Sequence, residues 1–389
     1  MSLSKIVQAE NTVPWSDLPL ELTGLVLHCL PADTDRLRFA AVCRNWHFSS
    51  MQHDLYPPLP WLALPDGTFF SLPHSESFQF SDSLGYHSSS GEWLFFLREG
   101  TCSLMNPFSK VTLMLPNMLS VRSINEPVEI INGPVIGGFN MFAFLLMIFR
   151  ISIWKVIVCS PVLVAAIFVI GGIHTVALCR PGAASWLVSA LGNRWNIMEI
   201  MFYDGKLFVV TSRHLFSIDI GEDDDNGEPR VSRIELVIEG PLSWAMGQKI
   251  IELSLYLVES CGVLLLVRRE ARYKESYQSD ANGVRMVLDV NFLVFEADIT
   301  SSQWVEVKSV GDDMALFVSK GSSRAVCVSQ YKPWGNHIFS LEDGTWDWFW
   351  KQMPWSCCVC DMRNGEFYSP PEAAWMGEKG TGTWLFPRF

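Results

Sequence analysis

Residues 14–50 read PWSDLPLELTGLVLHCLPADTDRLRFAAVCRNWHFSS, and the rest of the chain is organised around them. Leu18, Leu22, Leu25, Val26 and Leu30 recur at helical spacing and give one sticky face. Pro19 suits the first turn of a helix, where a missing N–H costs nothing. Gly24 weakens that helix by about 1 kcal/mol against Ala, and Pro31 stops it. Asp33 or Asp35 is placed to cap a second helix carrying Leu37, Ala40 and Ala41. Cys43, Trp46 and Phe48 extend the pattern into a short third helix. A module of about 40 residues buries too little apolar surface to stand comfortably alone. Surface around Leu18, Pro19, Val42 and Trp46 is therefore left for another protein's helices. The alternative is a helical hairpin that packs on nothing but its own chain.

The chain of 389 residues has room for such a module plus one large domain, or for two ordinary domains. Hydrophobic residues make up 49% and charged residues 18%, which allows a sizeable core and excludes wholesale disorder. The 16 Trp and 25 Phe, with many Gly and Pro, favour short twisted strands. A net charge of −12 without a block of Lys and Arg argues against nucleic acid as a partner. The ten cysteines are scattered, and MSLSKIVQAENTVPW has no apolar core of a signal peptide. A reducing cytoplasmic or nuclear setting is expected, with the thiols as small buried hydrophobes. Cys357, Cys358 and Cys360 cluster without a second pair or suitably spaced His, which favours a buried strand over a metal site.

After the Pro-rich connector His53–Pro60 the pattern turns to strands. Trp61–Leu64, the turn Pro65-Asp66-Gly67 and Thr68–Leu72 read as strand, turn, strand. Asn132-Gly133, Asp204-Gly205, Asn282-Gly283, Asp343-Gly344 and Asn364-Gly365 supply the positive φ angles of tight turns. Between them lie candidate strands such as Glu92–Arg98, Lys206–Thr211, Gly262–Arg268, Phe292–Ala297 and Met314–Ser319. Their starts recur at roughly 50 to 60 residues, the period of a four-stranded propeller blade. Trp346, Trp348 and Trp350 alternate as an aromatic strand face would.

Trp15, Leu18, Pro19, Glu21, Leu22, Leu30, Asp35, Arg38, Ala41, Val42, Cys43, Arg44 and Trp46 fit W-x-x-L-P-x-E-L, a spacer, then D-x-x-R-x-x-x-V-C-R-x-W. The stretch resembles an F-box. Gly24, and His47 where a second basic residue is common, are its departures. The resemblance implies docking to a Skp-type adaptor, and through it a cullin, by way of Leu18, Pro19, Leu22, Val42, Cys43 and Trp46. Residues 53–389 are similar to plant F-box proteins with a C-terminal β-propeller of the KIB type. The motifs that carry this are Ser103-x-x-Asn106-Pro107, Cys159-Ser160-Pro161, Cys179-Arg180-Pro181-Gly182, Ser185-Trp186, Gly335–Phe339 and Trp384–Pro387. The implied fold is mainly β with a small all-α N-terminal module: F-box helices followed by a kelch-like β-propeller. The expected divisions are a leader at 1–12, the F-box at 13–52, a linker at 53–60 and the propeller at 61–389. The implied function is that of a substrate-recruiting subunit of a Skp–cullin–F-box ubiquitin ligase, which itself does no covalent chemistry.

Residues 141–173 are hydrophobic enough to suggest a membrane segment, but Arg150, Lys155 and Pro161 interrupt them. A charge at mid-membrane costs about 2.5–3.5 kcal/mol on insertion scales. The Val- and Ile-rich half, Val156–Ile170, reads as two buried strands, whereas Phe139–Phe149 reads as an insertion or a gene-model error. The eight histidines are dispersed, and no nucleophile elbow, Walker loop or dinucleotide fingerprint appears. Glu222–Asp225 lacks the ligand spacing of a calcium loop. No cofactor is expected, and the identity of the protein target is not encoded in any motif. Two other readings are carried: an F-box interaction protein that delivers nothing for ubiquitination, and an enzyme with a pocket in the propeller mouth.

Overall fold

The computed structural model describes residues 14–53, 57–123, 129–131, 151–188, 197–222, 227–240, 250–273, 278–280, 283–285, 288–341, 357–368 and 382–387. The expected elements at Asn132-Gly133, Phe139–Phe149, Asp343-Gly344 and Trp346–Trp350 lie outside them. A short 3-10 turn at Trp15–Asp17 leads into α1 (Leu20–His28), α2 (Asp33–Ala41) and α3 (Arg44–Gln52). Pro19 stands just ahead of α1, and its carbonyl accepts from the N–H groups of Leu22 and Thr23 at 3.1 and 3.0 Å. The residue before α2 is Ala32, with no side-chain cap. Asp33 and Asp35 instead occupy the first turn, where their carboxylates meet the positive end of the helix dipole. The cap expected of one of them is therefore absent; a carboxylate inside the turn serves the dipole without bonding a free N–H.

The strands that follow form a six-bladed propeller, each blade a sheet of four or five strands. Blade 1 runs from its inner edge outward as 383–385, 61–63, 68–71 and 76–79. Blade 2 uses 88–90, 93–98, 101–105 and 112–115 in chain order. Blades 3, 4 and 5 begin on inner strands Ile151–Ser160, Ile197–Tyr203 and Ile250–Ser260. In blade 6 the order is 324–327, 314–318, 337–341, 357–361 and 366–368, so the chain reaches the inner strand second. Strand 314–318 runs parallel to 337–341, unlike the antiparallel pairs elsewhere in that sheet. Neighbouring inner strands touch around the ring from 383–385 to 324–327.

Alternation along the strands places one buried cluster in each seam between blades. Trp61, Ala63 and Phe69 face Leu94 and Phe96 of blade 2, while Leu62 and Phe70 face Phe317 and Phe339 of blade 6. The ring closes where Trp61–Ala63 pairs antiparallel with Thr383–Leu385, joining the two ends of the domain. Trp384 lies wholly buried in that seam, its indole N–H donating to the Val318 carbonyl at 3.2 Å.

The described part of the hydrophobic stretch, from residue 151 on, forms Ile151–Ser160 paired antiparallel with Leu163–Ile170, buried between blades as its second half predicted. Among the described residues no helix is long and apolar enough to cross a membrane. Asp204-Gly205 forms the two-residue hairpin expected, with φ of 49° and 74°. Two additions were not foreseen. Val121–Ser123 pairs in parallel with the outer strand of blade 3, and Glu129–Ile131 does the same on blade 4.

Candidate adaptor-docking site

The three helices are built inside out. Their buried positions are Thr23, Gly24, Leu27, Asp33, Thr34, Arg36, Phe39 and Ser49, most of them polar or small. Their exposed positions include Leu22, Leu25, Val26, Leu37, Val42, Phe48 and Met51, with Trp15 ahead of them. Leu22, Leu25 and Val26 lie three and four residues apart, on one face of α1. Such a stripe normally faces a core. Here the stripe faces away from the rest of the chain.

Small and polar residues inside let the helices approach closely. The Thr23 and Ser49 hydroxyls share a buried hydrogen bond of 2.8 Å between α1 and α3. A Cβ on Gly24 would come within 2.4 Å of the His53 ring, so glycine at this position makes room for that imidazole. His53 in turn sits 3.3 Å from the Leu20 carbonyl. The glycine that weakens α1 by propensity is thus a packing requirement.

Of the six residues expected at the contact face, Pro19, Leu22 (46% exposed) and Val42 (57%) lie at the surface. Leu18, Cys43 and Trp46 are half-buried. Cys43 precedes α3, and its Sγ accepts from the Trp46 N–H at 3.5 Å. The Trp46 ring stacks on Phe39 at 4.4 Å, and its indole N–H donates to the Trp15 carbonyl at 3.1 Å. Asn45 adds bonds to the carbonyls of Ser16 and Leu18 at 3.0 and 3.3 Å. Trp46 and Asn45 therefore hold the segment that presents Trp15, Leu18 and Pro19. Trp15 (73% exposed), Phe48 and Met51 (74%) belong to the exposed surface but were not singled out as contacts. The signal for the last two was their three-residue spacing on α3.

One side of α2 rests on the propeller. Thr34 meets Ser71 at 3.3 Å, Asp35 meets His74 at 3.6 Å, and Arg38 bonds Glu76, all on blade 1. Arg36 donates to the Leu30 carbonyl at 2.7 Å and reaches Gln330, just beyond the inner strand of blade 6. Burial pushes the Asp33 carboxyl up to about 6, against the opposing pull of the Arg36 charge and the Trp61 indole. Burial also lowers Arg36, with Asp33 resisting. The module thus sits over the seam between the first and last blades, at the end of the ring where the inner strands finish.

Two family models match the chain in succession: an F-box-like model over residues 15–57 and a KIB1-4 beta-propeller model over residues 62–367. The second spans most of the chain. The chain belongs to the KIB1-4 β-propeller family. No curated protein matches it. In this family member the helices of residues 15–57 carry the exposed apolar surface, and the propeller follows directly.

The opposite end of the propeller is built differently. Lys320, in the turn before inner strand 324–327, places its ammonium 3.6 Å from the centre of the Trp154 ring on blade 3. In a ring of six, blade 3 lies across the axis from blade 6, so this turn covers the centre. Gly321 makes the crossing possible, since a Cβ there would lie 2.8 Å from the Ser89 nitrogen of blade 2. Burial, helped by the charge of Lys320, lowers the pKa of His87 nearby. At the other end of strand 314–318 from this turn, a cleft of about 440 Å³ lies between blades 5 and 6, lined by Phe292, Ile338, Cys360 and Met362 together with Glu306, Lys308, Asp312 and Arg363. Burial pushes the Cys360 thiol up to about 12, and Cys102 to about 11, so neither is a ready nucleophile at neutral pH. Among the described residues no group of three or more His, Cys, Asp and Glu is arranged to hold a metal ion.

Proposed function

We propose that this chain is the substrate-recruiting subunit of a Skp–cullin–F-box ubiquitin ligase. Its helical module binds a Skp-type adaptor, and through it a cullin, while the propeller holds a protein target. The observation that carries this reading is the exposed apolar stripe of α1 with Val42, Phe48 and Met51, set on helices that match an F-box-like model. Monomeric proteins seldom leave such a surface uncovered. An apolar helix-lined face suits the helices of another protein. Pro19, Leu22 and Val42 are its direct contacts, with Leu18, Cys43 and Trp46 shaping it.

The chemistry in this reading is carried elsewhere. The subunit acts by raising the effective concentration of a target lysine near a ubiquitin-loaded enzyme on the same scaffold. A cytoplasmic or nuclear site of action, and proteasomal degradation of the target, follow from the same assignment. The divisions proposed are 13–52 for the adaptor module, 53–60 for the linker and 61–389 for the propeller.

Pull-down with a recombinant Skp-type adaptor tests this. The Leu22→Asp/Val42→Asp variant is expected to lose the adaptor while the propeller stays folded. Retained binding would overturn the docking assignment. An adaptor-bound chain that alters the stability of no cellular protein would favour the non-degradative alternative.

A further inference from the structure

The contacts between α2 and the propeller fall into two groups. Thr34, Asp35 and Arg38 all bond the short segment Ser71–Glu76 of blade 1. The backbone bond from the Leu59 N–H to the Pro31 carbonyl, 3.1 Å, also enters on the blade 1 side. A body held along one such line can still rock about it. Arg36 reaches the other blade. Its Nη2 lies 3.5 Å from the Gln330 Oε1 of blade 6, while its Nε donates to the Leu30 carbonyl of the helical module itself.

The burial of Arg36 is the second observation. It is 1% exposed and shares its pocket with the charge of Asp33. An ion pair taken out of water is weak as a source of stability, because desolvation offsets much of the attraction. Its best-attested use is to fix one arrangement among several. A Met or Leu would fill the same volume but could not bond two separate bodies at once.

We propose that Arg36 is a positioning residue: it supplies the second anchor that locks the F-box over the seam between blades 1 and 6. The adaptor-docking stripe is then held at one orientation to the far mouth of the propeller, and a bound target is presented at one distance from the adaptor. This rests on the adaptor reading above.

The test uses the full chain with spin labels placed through unnatural amino acids at Met51 and Val162, both exposed. Dipolar spectroscopy should give one narrow distance distribution. Asp33→Asn/Arg36→Met removes both charges without leaving one buried alone, and Gln330→Ala removes only the bond to blade 6. Each is expected to widen the distribution, the double variant by about twofold. Affinity for a recombinant Skp-type adaptor should stay within about twofold of the unaltered chain, far less than the tenfold that ~1.4 kcal/mol represents. An unchanged width in both variants overturns the proposal. So does a loss of adaptor affinity of about tenfold or more, which would put Arg36 in the adaptor contact itself. Failure of the adaptor to bind the unaltered chain overturns the docking reading instead, and the distance result stands apart from it.

Discussion

The helical module and the propeller use the same residue types in opposite ways. In the propeller, Phe95, Phe168, Phe216, Phe317 and Phe339 are buried, and the clusters they join fill the seams between blades. In the helices, Leu22, Leu25, Val42, Phe48 and Met51 face outward, and Arg36, Thr23 and Ser49 are inside. Surface burial is the main favourable term in folding, at about 25 cal/mol per Å². The propeller takes that term from its own seams. The helical module leaves much of it unused, which is the state that the proposed adaptor docking requires of the unbound chain.

Four measurements would break or sharpen this contrast. The largest effect is expected in the propeller. Phe317 stacks on Phe339 at 4.6 Å and meets Trp384 edge-on at 5.1 Å. Phe317→Ala should destabilise the fold by about 3–5 kcal/mol in denaturant titration. A loss below about 1 kcal/mol would mean that this seam is far looser than its contacts indicate.

Second comes the buried carboxyl under α2. Asp33 rises in the folded state from 3.8 to about 6, so the native chain binds its proton more tightly than the unfolded chain. Stability from this group is greatest below about pH 4 and falls as pH rises to about 6, by roughly 3 kcal/mol. Asp33→Asn lacks the titration. The stability of Asp33→Asn relative to the unaltered chain should therefore rise by about that amount between pH 4 and pH 7. A flat difference would show that the carboxyl is better solvated than its position implies.

Third, Leu22→Ala/Val42→Ala should change folding stability by no more than about 0.5 kcal/mol per site, as exposed substitutions do. The same variant should weaken adaptor binding by about tenfold or more, read by calorimetry. A large loss of folding stability would make these residues core after all. The smallest effect is at Gly24. Helix propensity alone promises about 1 kcal/mol of gain for Gly24→Ala. The His53 ring 2.4 Å from the new Cβ should cancel it, leaving thermal stability equal or lower.

Much of this was legible in the sequence because it is local. Asp204-Gly205 announces a hairpin since both residues must take positive φ, and they do. The strand at Lys206–Thr211 has the boundaries its Val- and Phe-rich run implied. The exposure of part of the proposed docking face was legible too: Pro19, Leu22 and Val42 came from a spaced motif, and they are at the surface.

What was not legible depends on distant partners. Ser88–Ser90 forms the inner strand of blade 2, yet three serines give no strand signal of their own. The parallel pairing of 121–123 and 129–131 on two outer edges has no local mark at all. Arg36 has the i+3 spacing and charge of a solvated helix face, and is among the most deeply buried residues of α2. The half-buried state of Trp46 follows from Phe39 and Trp15, which no single-position motif encodes.

The pairing of Thr383–Leu385 with Trp61–Ala63 also has a consequence for synthesis. A ribosome must pass residue 385 before the first blade has its inner strand. Until then Trp61–Ala63 is an unpaired edge, and the seam that Trp384 fills stays open to water. A nascent chain therefore waits for most of its translation with an aggregation-prone face, and a prematurely stopped one never covers it. Ring closure thus makes synthesis through residue 385 a condition of covering the first blade.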